Sequence, residues 1–164
     1  MRSPRSQLVL EGRLSVRYEQ EGKNQQLTGQ FLWQQDAAQT RILLSSPTGQ
    51  ALAEILVTAN QASLTQAGQA TRSAGNVDQL TSEILGWPLP VAGLRDWLQG
   101  FALNAKGARF IASPEQDSVA TLDGWHIRYA SWHDNTHPKR IDLERHIDAQ
   151  GADVSLRMLI DSAT

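Results

Sequence analysis

This 164-residue chain has no cysteine, which excludes disulfides, thiolate nucleophiles, the common cysteine-built zinc sites and a cysteine lipid acceptor within it. Long hydrophobic runs are also missing: 40% of residues are hydrophobic, yet no stretch approaches the roughly 20 apolar residues that cross a bilayer as a helix. Neither sign of charge dominates. Lys and Arg number 15 against 17 Asp and Glu, a net charge of −2. No cation block stands ready to neutralise phosphates, so a nucleic-acid partner is not expected. The basic start Met1-Arg2-Ser3-Pro4-Arg5-Ser6 leads into no apolar segment of about 7 to 15 residues, so it does not read as a signal peptide.

Catalytic patterns are equally scarce. There is no Gly-x-Ser-x-Gly elbow and no glycine-rich phosphate cradle after a strand, and the carboxylates are scattered along polar strand faces. His133, Asp134 and His137 come nearest to a metal or catalytic cluster. A four-residue histidine spacing aligns two imidazoles only on a helix, and Asp134-Asn135-Thr136 ahead of Pro138 reads as a turn. Two histidines also leave zinc short of ligands. These residues are therefore read as polar loop, and His126 and His146 as solvent-facing. No metal, cofactor or enzymatic activity is expected. The opposing reading, a hydrolase built on the His133 region, requires a bound metal that a chelator would remove together with activity.

What is present is alternation. Leu10, Gly12, Leu14, Val16 and Tyr18 alternate with Glu11, Arg13, Ser15 and Arg17, the period of two of a strand with one wet face. Leu27, Gly29, Phe31 and Trp33 repeat the pattern after a turn at Glu21-Gly22-Lys23-Asn24. Strands follow at 40–45 and 51–58, the latter with Ala53, Ile55 and Val57 on one face and Leu52 and Leu56 on the other. Ser46-Pro47-Thr48-Gly49 between them suits a type I turn. Weaker strands are expected at 62–66 and 69–73, and others at 108–112, 119–122, 125–130, 140–147 and 154–161. Asp123-Gly124 and Gln150-Gly151 are turn signals.

Between Ile84 and Gly100 the alternation gives way to helices. Asn76 or Asp78 can cap a helix carrying Val77, Leu80, Ile84 and Leu85, and Gly86 suits its end. Trp87-Pro88-Leu89-Pro90 cannot continue it. A second helix presents Val91, Leu94, Trp97 and Leu98 and stops at Gly100. The fold class is thus mainly β with a helical insertion: a single domain over residues 1–164, with 1–7 as a tail, in which roughly ten short antiparallel strands form a barrel or a strongly curved sheet.

Of five tryptophans, Trp33, Trp97 and Trp125 fall on the apolar sides of their elements. Large aromatics fill packed cores in most proteins. Inward Gly12 and Gly29 could instead leave room for a ligand, or mark bends of a curved sheet. Both readings stand on composition alone.

The ordered set Leu85-Gly86-Trp87-Pro88-Leu89-Pro90 and Leu94-Arg95-x-Trp97-Leu98-x-Gly100 resembles the signature of the LolB family, outer-membrane lipoprotein receptors of Gram-negative bacteria. Phe31-Leu32-Trp33-Gln34-Gln35, Ser46-Pro47-x-Gly49, and Trp125-x-Ile127-x-Tyr129 with Pro138, Arg140 and Leu143 agree with it in order, from about Gly12 to Ile160. The resemblance implies an unclosed antiparallel β-barrel of about ten or eleven strands, capped by helices over a hydrophobic cavity, with Trp33, Trp97 and Trp125 at or near it; Leu94, Leu98, Phe31, Ile55 and Tyr129 are expected beside them as further acyl-chain contacts. It implies a monomer on the periplasmic face of the outer membrane, with the LolA carrier and acylated lipoproteins as partners. A LolA-like periplasmic carrier is the alternative. Each buried methylene is worth about 0.8 kcal/mol, so holding acyl chains out of water avoids a cost on the order of tens of kcal/mol. The family receptor is anchored through an N-terminal cysteine, and without one this chain is expected to be a soluble form. The turn Pro47-Thr48-Gly49 matches the family's membrane-delivery turn, where Thr48 replaces a large apolar residue, usually leucine. Delivery then depends on neighbours such as Leu52 or Leu56, or this step differs, or Thr48 is only a tolerated turn residue.

Overall fold

The computed structural model describes residues 5–147 and 151–163. Ten strands form one antiparallel sheet in the order β6-β5-β4-β3-β2-β1-β12-β11-β10-β9, open at β6 and β9. They are β1 (Leu8–Gln20), β2 (Lys23–Gln35), β3 (Gln39–Ser45), β4 (Ala51–Thr58), β5 (Ala62–Gln66), β6 (Arg72–Ala74), β9 (Ser118–Ala120), β10 (His126–Trp132), β11 (Pro138–Ile147) and β12 (Ala152–Ala163). Helices α1 (Val77–Leu85) and α2 (Val91–Trp97) follow β6, and β7 (Phe101–Leu103) pairs with β8 (Arg109–Ile111) as a separate hairpin. This is the mainly β class with a helical insertion that the alternation indicates.

The chain divides into two compact units. One comprises Arg5–Arg13, Thr28–Arg95 and the residues from Asp161 on. Its sheet face is built in cross-strand rows, because side chains at paired positions of antiparallel strands point the same way. Trp33 pairs with Ile42, Ile42 with Ile55, and Ile55 with Leu64. None of the four is more than 1% exposed. Phe31, Leu44 and Ala53 form the adjoining row. Burying each large side chain contributes about 1.5–3 kcal/mol, so such a row holds the strands in register.

Helix α1 packs against β5 and β6. Asn76 takes the N-cap, its side chain accepting from the Gln79 amide at 3.1 Å, and Gly86 closes the helix at φ 84°. Asp78, the other N-cap candidate, instead accepts from the Ala92 amide at 3.1 Å and so caps α2, whose own first turn follows Pro90 and has no such side chain. The buried Thr81 hydroxyl lies 3.1 Å from the Leu89 carbonyl and ties the Trp87–Pro90 linker to α1. Ile84 and Leu85 end half-buried on the expected stripe.

The other unit comprises Leu14–Leu27 and Asp96–Ile160. Its rows are Val119, Ile127, Leu143 and Leu156, and beside them Tyr129, Ile141 and Met158. All are buried.

Three local expectations shift. The strand placed at 69–73 is β6 at Arg72–Ala74, because Ala67 to Gln69 turn first, with the Gln69 amide bonded to the Gln66 carbonyl at 3.0 Å. The Glu21-Gly22 turn is tighter than expected, with φ 52° and 79° and β2 starting at Lys23. Asp123-Gly124 does close the β9–β10 hairpin, but not as the central pair of a two-residue loop. The Gly124 amide bonds the Thr121 carbonyl at 3.2 Å, and Gly124 sits at φ 90° at the end of a turn starting at Thr121. Of the turn expected at Gln150-Gly151, Gln150 lies outside the described residues, as do residues 1–4 of the expected tail.

Candidate functional site

Each unit holds part of the expected aromatic site. In the first, Phe31 and Trp33 lie on β2, Ile55 on β4 and Leu94 on α2, at exposures of 4%, 1%, 0% and 0%. Trp33 is fixed through its polar edge. Its indole Nε1 donates to Gln35 Oε1 at 2.8 Å, and Gln35 Nε2 donates to the Arg95 carbonyl at 3.3 Å. The Arg95 guanidinium in turn donates to the buried Thr40 hydroxyl, and to the Asp36 carbonyl at 2.8 Å. Buried polar groups are costly unless paired, and this chain pairs them in series. Reading by residue type assigned no role to Gln35 or Arg95. The available signal was period: Gln35 falls two residues beyond Trp33, a polar side chain on an apolar face.

In the second unit Trp97 and Trp125 meet with ring centroids 6.3 Å apart and planes at 58°. The tilt suits rings whose edges are positive and faces negative. Tyr129 OH donates to the Trp97 carbonyl at 2.5 Å, while its ring lies 5.7 Å from that of Trp132. Leu98 follows directly, and Gly100 at φ 88° ends the turn after α2. Trp97, Leu98, Trp125 and Tyr129 are 5%, 2%, 1% and 1% exposed. At such exposures hardly any water-sized space touches these side chains in either unit, so in this structure they are packed.

Gly29 has a reason apart from the room or bend it suggested. A Cβ there would stand 2.5 Å from the Ser45 carbonyl oxygen, so the backbones of β2 and β3 approach where only glycine fits.

The turn at Pro47, Thr48 and Gly49 is exposed throughout. The Gly49 amide bonds the Ser46 carbonyl at 2.9 Å, as a type I turn requires, and Gln30 Nε2 donates to the Pro47 carbonyl at 2.9 Å. Thr48 Oγ1 lies 3.0 Å from Ser46 Oγ. Of its apolar neighbours Leu52 is 39% exposed, whereas Leu56 is half-buried.

His133, Asp134 and His137 do fall in a loop. Asp134 Oδ1 accepts from the Thr136 amide at 2.7 Å and the His137 amide at 3.0 Å, while His133 Nε2 lies 2.7 Å from the Ile160 carbonyl. The Thr136 amide foremost, then the His137 ring, hold the Asp134 carboxyl well below the usual range. His126 and His146 are exposed. Two surface depressions of about 390 and 500 Å³ share His126 and Glu144; they are lined largely by polar groups and by none of the aromatic site residues.

A sequence profile described as outer membrane lipoprotein LolB matches residues 6–162. The chain belongs to the LolB family. An outer-membrane lipoprotein LolB of Cupriavidus necator is 41% identical over 157 residues, covering 93% of this chain and 78% of the relative. One of Cupriavidus taiwanensis is 40% identical over 163 residues, with 93% and 79% covered. A DUF1329 family protein of Desulfovibrio piger shares the fold at a TM-score of 0.53 and 11% identity, over 95% of this chain and 86% of that one. LolB membership places the chain in outer-membrane lipoprotein localisation. Among the described residues no helix is long and apolar enough to cross a membrane.

Proposed function

We propose that this chain accepts triacylated lipoproteins from a LolA carrier and releases them into the outer membrane from its periplasmic face, acting as a monomer and without catalysis. Family membership across residues 6–162 carries this reading. The apolar faces support it chemically. Trp33, Phe31, Ile55 and Leu94 in one unit, and Trp97, Leu98, Trp125 and Tyr129 in the other, offer large apolar contact surfaces, with the Trp33 N–H and the Tyr129 hydroxyl already engaged. Because these groups are packed, loading requires side chains within each unit to move apart, and the acyl chain then replaces the contacts that are lost. Transfer needs no nucleotide provided this site binds the chains more favourably than the donor does.

The test is transfer in solution: lipoprotein-loaded LolA is mixed with this chain, and a stable lipoprotein complex is the expected product. Absence of that complex with a matched donor would sink the reading. Trp97→Glu places a charge on the apolar face and should cut capture at least tenfold. Unchanged capture by a folded variant would remove Trp97 from the site.

A further inference from the structure

The large hydrophobic side chains most exposed among the described residues are Leu122 at 64% and Leu103 at 54%. They lie together. An antiparallel bridge between Asn104 and Thr121 sets Leu103 and Leu122 on adjoining positions of the two backbones. Leu122 Cδ1 also lies 4.0 Å from where a Cβ on Gly107 would stand, against the β7–β8 turn.

Both leucines are presented by pinned backbone. Asn104 Oδ1 accepts from the Lys106 amide at 2.9 Å and the Ala108 amide at 3.0 Å, and the Asn104 amide bonds the Ala108 carbonyl at 2.8 Å. On the other side the Trp125 amide donates to Thr121 Oγ1 at 3.1 Å. Their exposure is therefore built into two hydrogen-bonded turns.

The charge around them runs against that of the whole chain. Lys106 and Arg109 are exposed on the same hairpin, and Arg145 Nε lies 3.7 Å from the Cβ position of Gly124, beside Leu122 in the second turn. The carboxylate in these turns is Asp123, which accepts from the Thr121 hydroxyl. Lys106 and Arg109 against Asp123, in a chain of net charge −2, make the two turns locally cationic. Two leucines give far less than the roughly 800 Å² per partner of a stable protein interface. A bilayer interface, by contrast, takes a few apolar side chains with cations at headgroup level.

We propose that the corner formed by Leu103 and Leu122, with Lys106, Arg109 and Arg145, seats on an anionic phospholipid surface. This deepens the function proposed above and rests on its placing the chain at a membrane. It supplies the apolar contact that Thr48 does not.

The experiment is cosedimentation of the full chain with vesicles of phosphatidylethanolamine and phosphatidylglycerol at low salt. The wild-type chain should partition onto them. L103N/L122N should lower the partition about tenfold, and Leu122→Asn alone about threefold. K106Q/R109Q should lower it severalfold, as should raised salt. Absence of wild-type partition, or equal partition by L103N/L122N with an unchanged melting temperature, overturns the proposal. So does wild-type self-association that L103N/L122N abolishes, since the occupant is then a second copy. Lipoprotein uptake in vesicle-free solution should be the same for L103N/L122N and wild type. Failed uptake by the wild type sinks the transfer reading and leaves the vesicle result standing.

Discussion

Trp33 and Trp97 are both buried indoles on apolar faces, yet they are held by different means. The ring of Trp33 is tied through Nε1 to Gln35, and Gln35 to Arg95, which reaches Thr40 and Asp36. The Trp97 ring is met by the Trp125 ring, and the polar bond at that residue belongs to its backbone, whose carbonyl accepts from Tyr129. A side chain fixed by a relay of directional bonds has one favourable position. One held by ring contact and dispersion can exchange that contact for another apolar body at little cost. The difference assigns the two tryptophans separate parts in the proposed capture: Trp33 anchors a face, and Trp97 with Trp125 forms the contact an acyl chain can replace.

The largest effect tests the anchor. Trp33→Ala should destabilise by about 4–5 kcal/mol, combining the lost ring with loss of the donor to a buried amide oxygen. Trp97→Ala should stay nearer 3 kcal/mol, because no polar side chain loses its partner. Urea unfolding of the two variants measures both, and a larger loss for Trp97→Ala would break the contrast. Trp33→Phe sharpens it by keeping most of the apolar surface while deleting the N–H. It should still cost about 1–3 kcal/mol, the penalty for depriving a buried acceptor of its donor.

Next comes Arg95→Met, which preserves an apolar stem and removes the guanidinium. The Thr40 hydroxyl, at 0% exposure, and the Asp36 carbonyl lose their donor. A loss of about 2–3 kcal/mol is expected, with faster amide exchange around Asp36 to Thr40. A loss within about 0.5 kcal/mol, the range of an ordinary surface change, would show that the relay does not anchor Trp33.

Tyr129→Phe should do less, about 1 kcal/mol. The Trp97 carbonyl also accepts from the Gly100 amide at 3.0 Å, so removing the phenol leaves no orphan acceptor. Thermal unfolding checks it, and a loss above about 2 kcal/mol would mean that Tyr129 holds α2 as firmly as Arg95 does.

These contrasts also mark what could be read in advance. Alternation alone located β1, β2, β3, β4, β10, β11 and β12, because each has one buried face and the buried residues recur at every second position. Asn76, Gly86 and Gly100 marked helix ends through local chemistry that needs no partner far along the chain. Hidden features depend on approach in space. Asp78 looked like a cap for the helix that contains it, and only the fold brings the Ala92 amide to it. Gln35 and Arg95 meet across 60 residues. Strand β7 has three residues, Phe101–Leu103, too few for a period to show. For the site, Trp33, Trp97 and Trp125 were legible as apolar aromatics, but their two kinds of support were not, since both depend on backbone carbonyls and on distant side chains.

Thr48→Leu should have the smallest effect on stability. The turn is closed by the Gly49 amide on the Ser46 carbonyl and by Gln30 on the Pro47 carbonyl. Neither bond involves the Thr48 side chain, and its contact with Ser46 Oγ is exposed. The third position of a type I turn accepts leucine without strain. Stability should change by less than about 0.5 kcal/mol. Partition onto phospholipid vesicles should rise severalfold, because an exposed leucine gains apolar burial at the interface that threonine forgoes. The same vesicles rank this turn against Leu103 and Leu122. If Thr48→Leu restores the partition of L103N/L122N to the wild-type level, the two surfaces supply one kind of contact and are interchangeable. If it raises partition only when Leu103 and Leu122 are intact, the leucine corner makes the first contact and the turn adds to it.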